Sequence, residues 1–293
     1  MKKKRGNAAT RRVGKKPARR VSVSASPVIT LLTDFGLKDY FVGAVKGVIL
    51  EGNPEARIVD ITHEIPEHDI EAAAFTVLAV AGSFPAGTIH LAVVDPGVGS
   101  SRKPLLILSG DQFFVGPDNG LFSYVMENDA VVYEVTNTEF FRQPLSQTFH
   151  GRDVFAPVAA ALSSGVKPET LGKRITDWVT LPSLKAKKLR DGVEGRVVQI
   201  DRFGNCITNL TPADIRAEGI GSVTQLKVGK NRIESFRRFY GDHAQAEKTS
   251  FAIWGSAGFL EISMENRSAA ELLKVKRGER VLVVRTKHGR TVS

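Results

Sequence analysis

The sequence has little of several features that would assign it to a common class. It has one cysteine, Cys206, in 293 residues, and no apolar run approaches the ~20 residues of a membrane-spanning helix. A single cysteine excludes an internal disulfide bond and agrees with a reducing compartment. We therefore expect a soluble, cytoplasmic protein without a membrane segment.

The signature motifs of common ligand-binding and hydrolytic sites are also missing. The sequence contains no P-loop, no GxGxxG, no GxSxG and no HExxH. His63 and His68 lie close together around Pro66, but no cluster of cysteine or histidine accompanies them, so we do not interpret them as metal ligands. The sequence therefore predicts neither a metal site nor a cofactor.

Acidic residues are absent from the first 26 positions. This segment, MKKKRGNAATRRVGKKPARRVSVSAS, holds ten of the 41 Lys and Arg residues and none of the 31 Asp and Glu residues, so it carries the whole net charge of +10. It is too poor in apolar residues to fold, and we predict a disordered basic tail over residues 1–26. A solvated extension, a contact to RNA or another polyanion, and an organelle transit peptide are all consistent with this composition.

Residues 27–181 alternate between apolar, strand-like runs and segments with helical spacing. Val28–Thr33 (VITLLT) is typical of a fully buried strand, and the apolar spacing predicts helices over Asp39–Leu50, Asp69–Ala81 and Gly151–Ser164. Strands rich in Val, Ile and Leu that alternate with helices are typical of a parallel sheet covered on both faces. We therefore predict an α/β domain with a mostly parallel sheet.

The pattern changes after Leu181. A basic linker over residues 182–190 leads into short strand-like runs with little helix between them, over residues 191–287. Short strands of this kind are typical of a small antiparallel barrel or sandwich. We predict a C-terminal antiparallel β-barrel domain over 191–287 and a short tail over 288–293.

Acidic residues stand at the ends of three strands of the first domain. Asp34 follows Val28–Thr33, Asp60 lies in ARIVDIT, and Asp95 follows TIHLAVV. Ligands collect at the carboxyl ends of the strands in an open α/β sheet, so three acids at one edge indicate a pocket. Taken singly, an acid at the end of a strand more often caps the next helix.

Further polar groups lie in three other motifs. The loop DPGVGSSR places Arg102 seven residues after Asp95, which suits either a structural salt bridge or a catalytic pair. FHGRDVFAP places His150 at the start of a helix, and IDRFGNCITN sets Asp201 and Asn205 around an aromatic residue and a glycine. These motifs predict an acid-lined site, but their spacing does not name a substrate.

Six motifs occur in the order found in one enzyme family. From Val28 to Arg285 the sequence resembles the S-adenosyl-L-methionine (SAM) hydroxide adenosyltransferases, in LLTDFGLKDYFVGAVKGVI, VDPGVGSSR, GPDNGL, FHGRDVFAP, IDRFGNCITN and GSAGFLEI. The resemblance implies a hydrolase that cleaves SAM with water to adenosine and methionine, in the fold of the SAM-dependent fluorinase and chlorinase. It also implies a homotrimer that binds SAM between the N-terminal domain of one subunit and the C-terminal domain of its neighbour.

The same resemblance implies roles for individual residues of the first domain. Asp34 corresponds to a residue that binds the two ribose hydroxyls. Asp95, Arg102 and His150 correspond to the catalytic trio that holds and polarises the attacking water. A carboxylate suits a vicinal diol because it accepts two O–H hydrogen bonds.

Substrate contacts from the second domain are implied in the same way. Asp201 and Asn205 match residues that hold the methionine ammonium and the nucleotide side, and Ser256 matches a contact to the methionine carboxylate. Adenine is expected to meet the backbone near Ser268 and Ala269.

Departures from the halogenating relatives bear on both the reaction and the substrate. Those relatives carry tyrosines at the positions of Asp95 and His150 and a serine at that of Gly151, so the sequence disfavours halogenation as the alternative activity. They also follow the serine equivalent to Ser256 with arginine, where this chain has Ala257. The methionine carboxylate must then be bound by Ser256, backbone N–H groups or another cation.

A second alternative is an RNA-associated protein that acts through its basic tail. The second domain lacks the net positive charge and the clustered aromatic residues of a platform that stacks nucleic-acid bases, which weighs against this alternative. A salt-dependent RNA shift that is lost on deletion of residues 1–26, without SAM turnover, would favour it.

Overall fold

The computed structural model describes residues 27–217, 224–233, 235–242 and 249–285. The predicted tails over 1–26 and 288–293 lie outside these residues. Two sheets, of seven and nine strands, form the framework of the described chain. Within the described chain no helix is long and apolar enough to cross a membrane.

Seven strands of the N-terminal region form the first sheet. In chain order they are β1 (Val28–Thr33), β2 (Arg57–Thr62), β3 (Ile89–Val93), β4 (Pro104–Ser109), β5 (Gln112–Pro117), β6 (Val131–Val135) and β7 (Gly172–Ile175). Across the sheet the order is β2-β1-β3-β5-β4-β6-β7. The first strand has the predicted bounds, and its residues after Val28, including Thr30 and Thr33, are buried on both faces, as expected for a strand covered on both sides.

The first sheet is mixed, which corrects the predicted mostly parallel arrangement. β1 is parallel to β2 and β3, and β3 to β5, but β4 is antiparallel to β5 and β6, and β6 to β7. The reversal begins at a tight turn between Ser109 and Gln112, where Gly110 has φ +57°. A turn this short can join only antiparallel strands, because a parallel connection needs a long crossover.

Helices cover both faces of the first sheet. They are α1 (Phe41–Gly52), α2 (Ile70–Ala81), α3 (Ala156–Ser163) and the short α4 (Pro168–Leu171). Residues of α1 and α3 pack into the apolar core on one face, and residues of α2 pack into the core on the other. The sheet therefore lies between two layers of helix, which cover its faces and leave the ends of the strands uncovered at one edge.

The predicted helices are present, with different starts. The second begins after Asp69, whose carboxylate caps it by accepting a 3.0 Å hydrogen bond from the Ala72 amide. The third, predicted over Gly151–Ser164, begins as a π-helical turn over Gly151–Phe155 that runs into α3. Single π-helical turns are frequent at functional sites, and no periodicity of apolar residues distinguishes them from α-helix.

Nine strands of the C-terminal region form the second sheet. In chain order they are β8 (Lys187–Leu189), β9 (Gly192–Ile200), β10 (Cys206–Thr208), β11 (Thr224–Val228), β12 (Asn231–Ile233), β13 (Ser235–Phe236), β14 (Phe251–Trp254), β15 (Leu260–Ser263) and β16 (Arg280–Arg285). The order is β12-β11-β16-β9-β10-β15-β14-β13, with β8 beside β9. Two short helices, α5 (Pro212–Ala217) and α6 (Ala269–Leu273), accompany this sheet.

The second sheet is nearly closed and barrel-like around one apolar core. Its described pairs are antiparallel, as predicted, with the exception of β13 and β14, which are parallel. The sheet is therefore mixed rather than purely antiparallel. The short strand Ser235–Phe236 comes before β14 in the chain and pairs with it in the same direction. The composition of the strands does not reveal this direction.

Ion pairs join the two regions at the start of α2. Arg277 contacts both carboxylate oxygens of Asp69, and Arg196 of β9 contacts Glu71. Burial raises the pKa of Asp69 and of Glu71, but the hydrogen bonds from the arginines outweigh burial and hold both pKa values below their usual range. Both acids are therefore ionised at neutral pH and pair with the arginines of the second sheet.

Candidate active site

A cavity of about 310 Å³ opens at the edge where β1 and β3 end. Asp34 and Asp95 line it, together with Gly151 of the π-helical turn and His150, which precedes that turn. Asp60, the third strand-end acid, does not line this cavity; it lies 2.6 Å from Lys46 Nζ. Neighbouring parallel strands thus bring two of the three acids to one cavity, as the strand-end argument predicts.

The loop after β3 turns back so that Arg102 faces Asp95. The Arg102 Nε–H donates to both carboxylate oxygens, at 3.1 and 2.9 Å, and Nη2 donates to Oδ2 at 2.5 Å. The two side chains are 9% and 5% exposed, so solvent screens the pair little. Gly99 has φ +78°, and a Cβ there would collide with the carbonyl oxygen of Gln147, so the turn requires glycine.

His150 joins this pair through the same guanidinium. Its Nδ1 accepts a hydrogen bond of 2.8 Å from Arg102 Nη2, and the guanidinium lies over the Phe155 ring at 5.1 Å. Burial lowers the pKa of His150, the charge of Arg102 lowers it further, and the charges of Asp95 and Asp153 oppose the shift. The imidazole is therefore neutral at neutral pH. The three residues of the predicted catalytic trio form one hydrogen-bonded cluster, in which Arg102 lies behind Asp95 and His150 and does not line the cavity.

Asp34 lies on the same cavity and is held from one side. Its Oδ2 accepts a 3.0 Å hydrogen bond from the amide of His68, a residue with φ +63°. The other carboxylate oxygen has no protein partner among the described residues. Asp34 can therefore accept hydrogen bonds from a ligand in the cavity, as the predicted contact to a ribose diol requires.

An apolar wall completes the cavity. Phe35 and Phe149 meet edge to face with ring centroids 5.9 Å apart, and Phe41 contacts Phe149 in the same way at 5.1 Å. A Cβ at Gly151 would lie 3.3 Å from the Phe35 ring, so the wall leaves little room for a larger side chain there. The cavity therefore presents carboxylates on one side and aromatic rings on the other.

A second cavity, of about 730 Å³, lies in the C-terminal region. Four of the predicted substrate-binding residues line it: Asp201, Asn205, Ser256 and Ser268. Ala269 is fully buried at the start of α6 and does not line it. Within the described part of the chain the two cavities share no lining residue, so the two predicted sets of site residues line different cavities.

Asp201 organises the loop on which Asn205 lies. Its Oδ1 accepts hydrogen bonds from the amides of Phe203 and Asn205, at 2.9 and 2.8 Å, and its Oδ2 accepts from Asn205 Nδ2 at 2.8 Å. Gly204 has φ +83°, and a Cβ there would collide with Ser268. The loop and the start of α6 are therefore packed together, and Asp201 holds the loop as well as lining the cavity.

Comparisons with known proteins agree with this arrangement. Residues 29–172 match the profile of the SAM hydroxide adenosyltransferase N-terminal domain, and residues 195–282 match that of the C-terminal domain. The chain belongs to the SAM hydroxide adenosyltransferase family. The family resemblance predicted from the six motifs is thereby confirmed.

Individual relatives of this family member are similar over most of their length. An (R)-S-adenosyl-L-methionine hydrolase of Thermus thermophilus is 38% identical over 264 residues, which is 85% of this chain and 96% of that protein. A fluorinase of Actinoplanes sp. is 27% identical over 234 residues, 70% of this chain and 78% of that one. An uncharacterized conserved protein from Thermotoga maritima has a TM-score of 0.81 at 35% identity, over 88% of this chain and 100% of that chain.

The structure adds site residues of this family member that sequence patterns missed. Behind Asp34, the Thr33 hydroxyl lies 2.8 Å from His63 Nδ1, and His63 Nε2 lies 3.2 Å from Asp60 Oδ1. The His63 carbonyl accepts the Gly36 amide at 2.8 Å. The sequence predicts no role for His63 beyond excluding it as a metal ligand, because spacing along the chain does not show that a histidine supports the neighbouring strand end. No group of three or more potential metal ligands occurs in the described residues.

The second cavity also contains unpredicted polar residues. Glu261 is 8% exposed, and its Oε2 accepts a hydrogen bond of 3.2 Å from the Tyr240 hydroxyl. Burial raises the pKa of Glu261, and the charge of Asp201 raises it further. Arg267 lines the same cavity. It adds a cation to the neutral donors there, which are the Ser256 hydroxyl and backbone N–H groups. Glu261 was missed because it lies within a strand where alternation suggests an outward-facing side chain.

Proposed function

We propose that this protein hydrolyses SAM to adenosine and L-methionine. Curated relatives named (R)-S-adenosyl-L-methionine hydrolase are 34–38% identical over most of the chain. The observation that carries the chemistry is the hydrogen-bonded cluster of Asp95, Arg102 and His150 beside a cavity with a free carboxylate oxygen on Asp34. The names of the relatives point to the (R) epimer of SAM as the substrate.

The reaction is a displacement at C5′ of the ribose. The oxygen of water bonds to C5′ while the C5′–S bond breaks, its electron pair passes to sulfur, and water loses one proton. The sulfonium leaves as the neutral thioether of methionine and needs no general acid. This balance consumes SAM and water alone, so we propose SAM as substrate and no cofactor. The difficult partner is water, whose pKa is about 16.

The residues of the first cavity suit this displacement. Asp95 lines the cavity and can hold the water and take its proton, as a positioned general base does. Arg102 carries a permanent positive charge in contact with Asp95, and stabilises negative charge that develops at this point. Asp34 offers a carboxylate oxygen to the ribose hydroxyls, and the aromatic wall of Phe35 and Phe149 excludes bulk water beside the reacting carbon.

Both cavities are needed to surround the substrate. The ribose and the attacking water belong to the first, while the methionine end and adenine require Asp201, Asn205, Ser256 and the backbone near Ser268 and Ala269. Both cavities are also bordered by exposed apolar side chains, with Tyr40 69% exposed beside the first and Phe203 77% exposed at the second. We therefore place the active site between subunits of a homotrimer, with domains over 27–181 and 191–287 facing each other across the interface.

Product analysis tests this function. Purified protein is incubated with each SAM epimer, and adenosine and methionine are quantified by chromatography. The expected result is equal amounts of both products from (R)-SAM, with a rate reduced ~10²–10⁴-fold in Asp95→Asn, which keeps the shape of the side chain but removes its charge. A 5′-halo-adenosine formed in the presence of chloride or fluoride, or no adenosine at all, would contradict the proposal.

A further inference from the structure

His150 has no nitrogen open to a water molecule in the first cavity. Nδ1 is occupied by Arg102 Nη2 at 2.8 Å. Nε2 exposes less than 1 Å² and has no hydrogen-bond partner among the residues that the structure describes. His150 lines the cavity, but its Nδ1 is bonded to Arg102 and its Nε2 is covered.

The contact with Arg102 determines which nitrogen carries the proton. A guanidinium has only donors, so Nδ1 must be the acceptor and the proton lies on Nε2. A ring rotated by 180° would place a C–H group against the guanidinium and lose the hydrogen bond, so the assigned orientation is the chemically consistent one. In this tautomer neither nitrogen can remove a proton from water, because Nδ1 is already bonded and Nε2 already carries hydrogen.

The same hydrogen bond constrains Arg102. Its Nε–H and one N–H of Nη2 are used by Asp95, and the second N–H of Nη2 is used by His150. The guanidinium is therefore held on two sides, with Asp95 at the cavity and His150 beside it. Loss of the acceptor at Nδ1 would leave the guanidinium held by Asp95 alone, so that the Arg102–Asp95 pair could shift as a unit and the carboxylate would be oriented less well.

From these contacts we infer that His150 is a positioning residue that acts through Arg102, and that Asp95 is the group that takes the proton. The inference rests on the proposed hydrolysis and refines the role of one member of the trio. In chemical terms, the water proton passes to the Asp95 carboxylate as the oxygen bonds to C5′, while the imidazole stays neutral throughout. His150 is required because its Nδ1 accepts the hydrogen bond from Arg102 Nη2.

Protonation of His150 should consequently abolish activity. The charged groups that face the imidazole are Arg102, Asp95 and Asp153. An imidazolium cannot accept from Arg102 and would add a second positive charge next to the guanidinium. The acid limb of the pH–rate profile should therefore lie below the ordinary histidine pKa, and it should reflect a lost hydrogen bond.

Two amide substitutions separate positioning from acid–base catalysis. The amide of asparagine reaches the place of Nδ1, whereas that of glutamine reaches the place of Nε2, and neither titrates. We expect His150→Asn to recover kcat to within about tenfold of wild type, with the acid limb due to His150 removed. His150→Ala and His150→Gln should lose ~10²-fold or more, with KM changed little. His150→Asn as slow as His150→Ala, or slower than His150→Gln, would overturn the inference.

A measurement without substrate tests the tautomer independently. Selective ¹⁵N labelling of the six histidines, with His150 assigned from the spectrum of His150→Asn, should show Nε2 protonated and Nδ1 unprotonated. Arg102→Ala should release this preference. A protonated Nδ1 in the wild type would overturn the inference even if the enzyme is active. A wild type that forms no adenosine would refute the proposed hydrolysis. The tautomer measurement would still test, separately, whether His150 Nδ1 accepts the hydrogen bond from Arg102.

Discussion

Thr33 and His63 are joined by a 2.8 Å hydrogen bond between Oγ1 and Nδ1, directly behind the carboxylate of Asp34. Thr33 Oγ1 also accepts a hydrogen bond from the Phe35 amide at 3.3 Å. His63 Nε2, on the other side of the ring, lies 3.2 Å from Asp60 Oδ1. The loop that carries Asp34 and Phe35 is thus anchored from within the protein.

Thr33→Val should weaken substrate binding without slowing the chemical step. Valine keeps the shape of the side chain but removes the acceptor for the Phe35 amide and the partner of His63. We expect KM for SAM to rise ~10-fold with kcat nearly unchanged, corresponding to about 1.4 kcal/mol. Steady-state kinetics check this, and Thr33→Ser, which keeps the hydroxyl, is the matched control. A fall in kcat at unchanged KM would show that the loop serves the chemistry instead.

The effect of substituting Asp34 should depend on the ribose hydroxyls of the ligand. Asp34→Asn retains an oxygen for the His68 amide but loses the charge. It should weaken SAM binding by about 1.5–3 kcal/mol, which is the usual contribution of a hydrogen bond to a charged group. A 2′-deoxy analogue of SAM should lose less on the same substitution, because it presents one hydroxyl fewer. Binding constants of both ligands to both proteins test this, and equal losses would remove the role assigned to Asp34.

Acid should destabilise the protein through a histidine remote from the site. Burial lowers the pKa of His90 to about 4, and His90 is 1% exposed. The unfolded chain takes up this proton near pH 6.5 and the folded chain only near pH 4, so stability falls as the pH drops through this window, by about 3 kcal/mol in total. His90→Phe, which keeps a ring against Phe114, should flatten this fall in urea unfolding experiments. An unchanged pH dependence in the variant would contradict the assignment.

Assembly of the site between subunits predicts complementation. Asp95→Ala disables the first cavity and Asn205→Ala the second, so each protein alone should be inactive. After subunit exchange, hybrid trimers contain interfaces with two intact halves, and activity should return in part. Light scattering on the active species is the second readout; a fully active monomer would rule out the shared site.

The sequence predicts the elements better than their directions. The largely apolar segment Val28–Thr33 predicts a strand buried on both faces, and the structure has that strand with the same bounds. The antiparallel half of the first sheet was missed, because the runs of β4 and β5 look alike whichever way they point. The two-residue connection Gly110–Asp111 sets their direction, and a Gly-Asp pair between two apolar runs is a hairpin signal, so the sequence held information that the prediction of a mostly parallel sheet did not use.

The site shows the same division between local and long-range information. Asp95 and Arg102 stand in one loop, so the motif that contains both brings them together, whereas His63 and Thr33 are 30 residues apart and meet only through the pairing of β1 with β2. Glu261 is hidden in a strand whose alternation suggests exposure. Roles that depend on which atom of His150 is covered cannot be read from residue identity.

The origin of the new hydroxyl oxygen tests the central claim most directly. Turnover of SAM in H₂¹⁸O should place one ¹⁸O at the 5′ position of adenosine and none in methionine, as mass spectrometry of both products would show. That result means that water attacks C5′ and that the C5′–S bond breaks. Adenosine without the label, or ¹⁸O found in the methionine-derived product, would contradict the account.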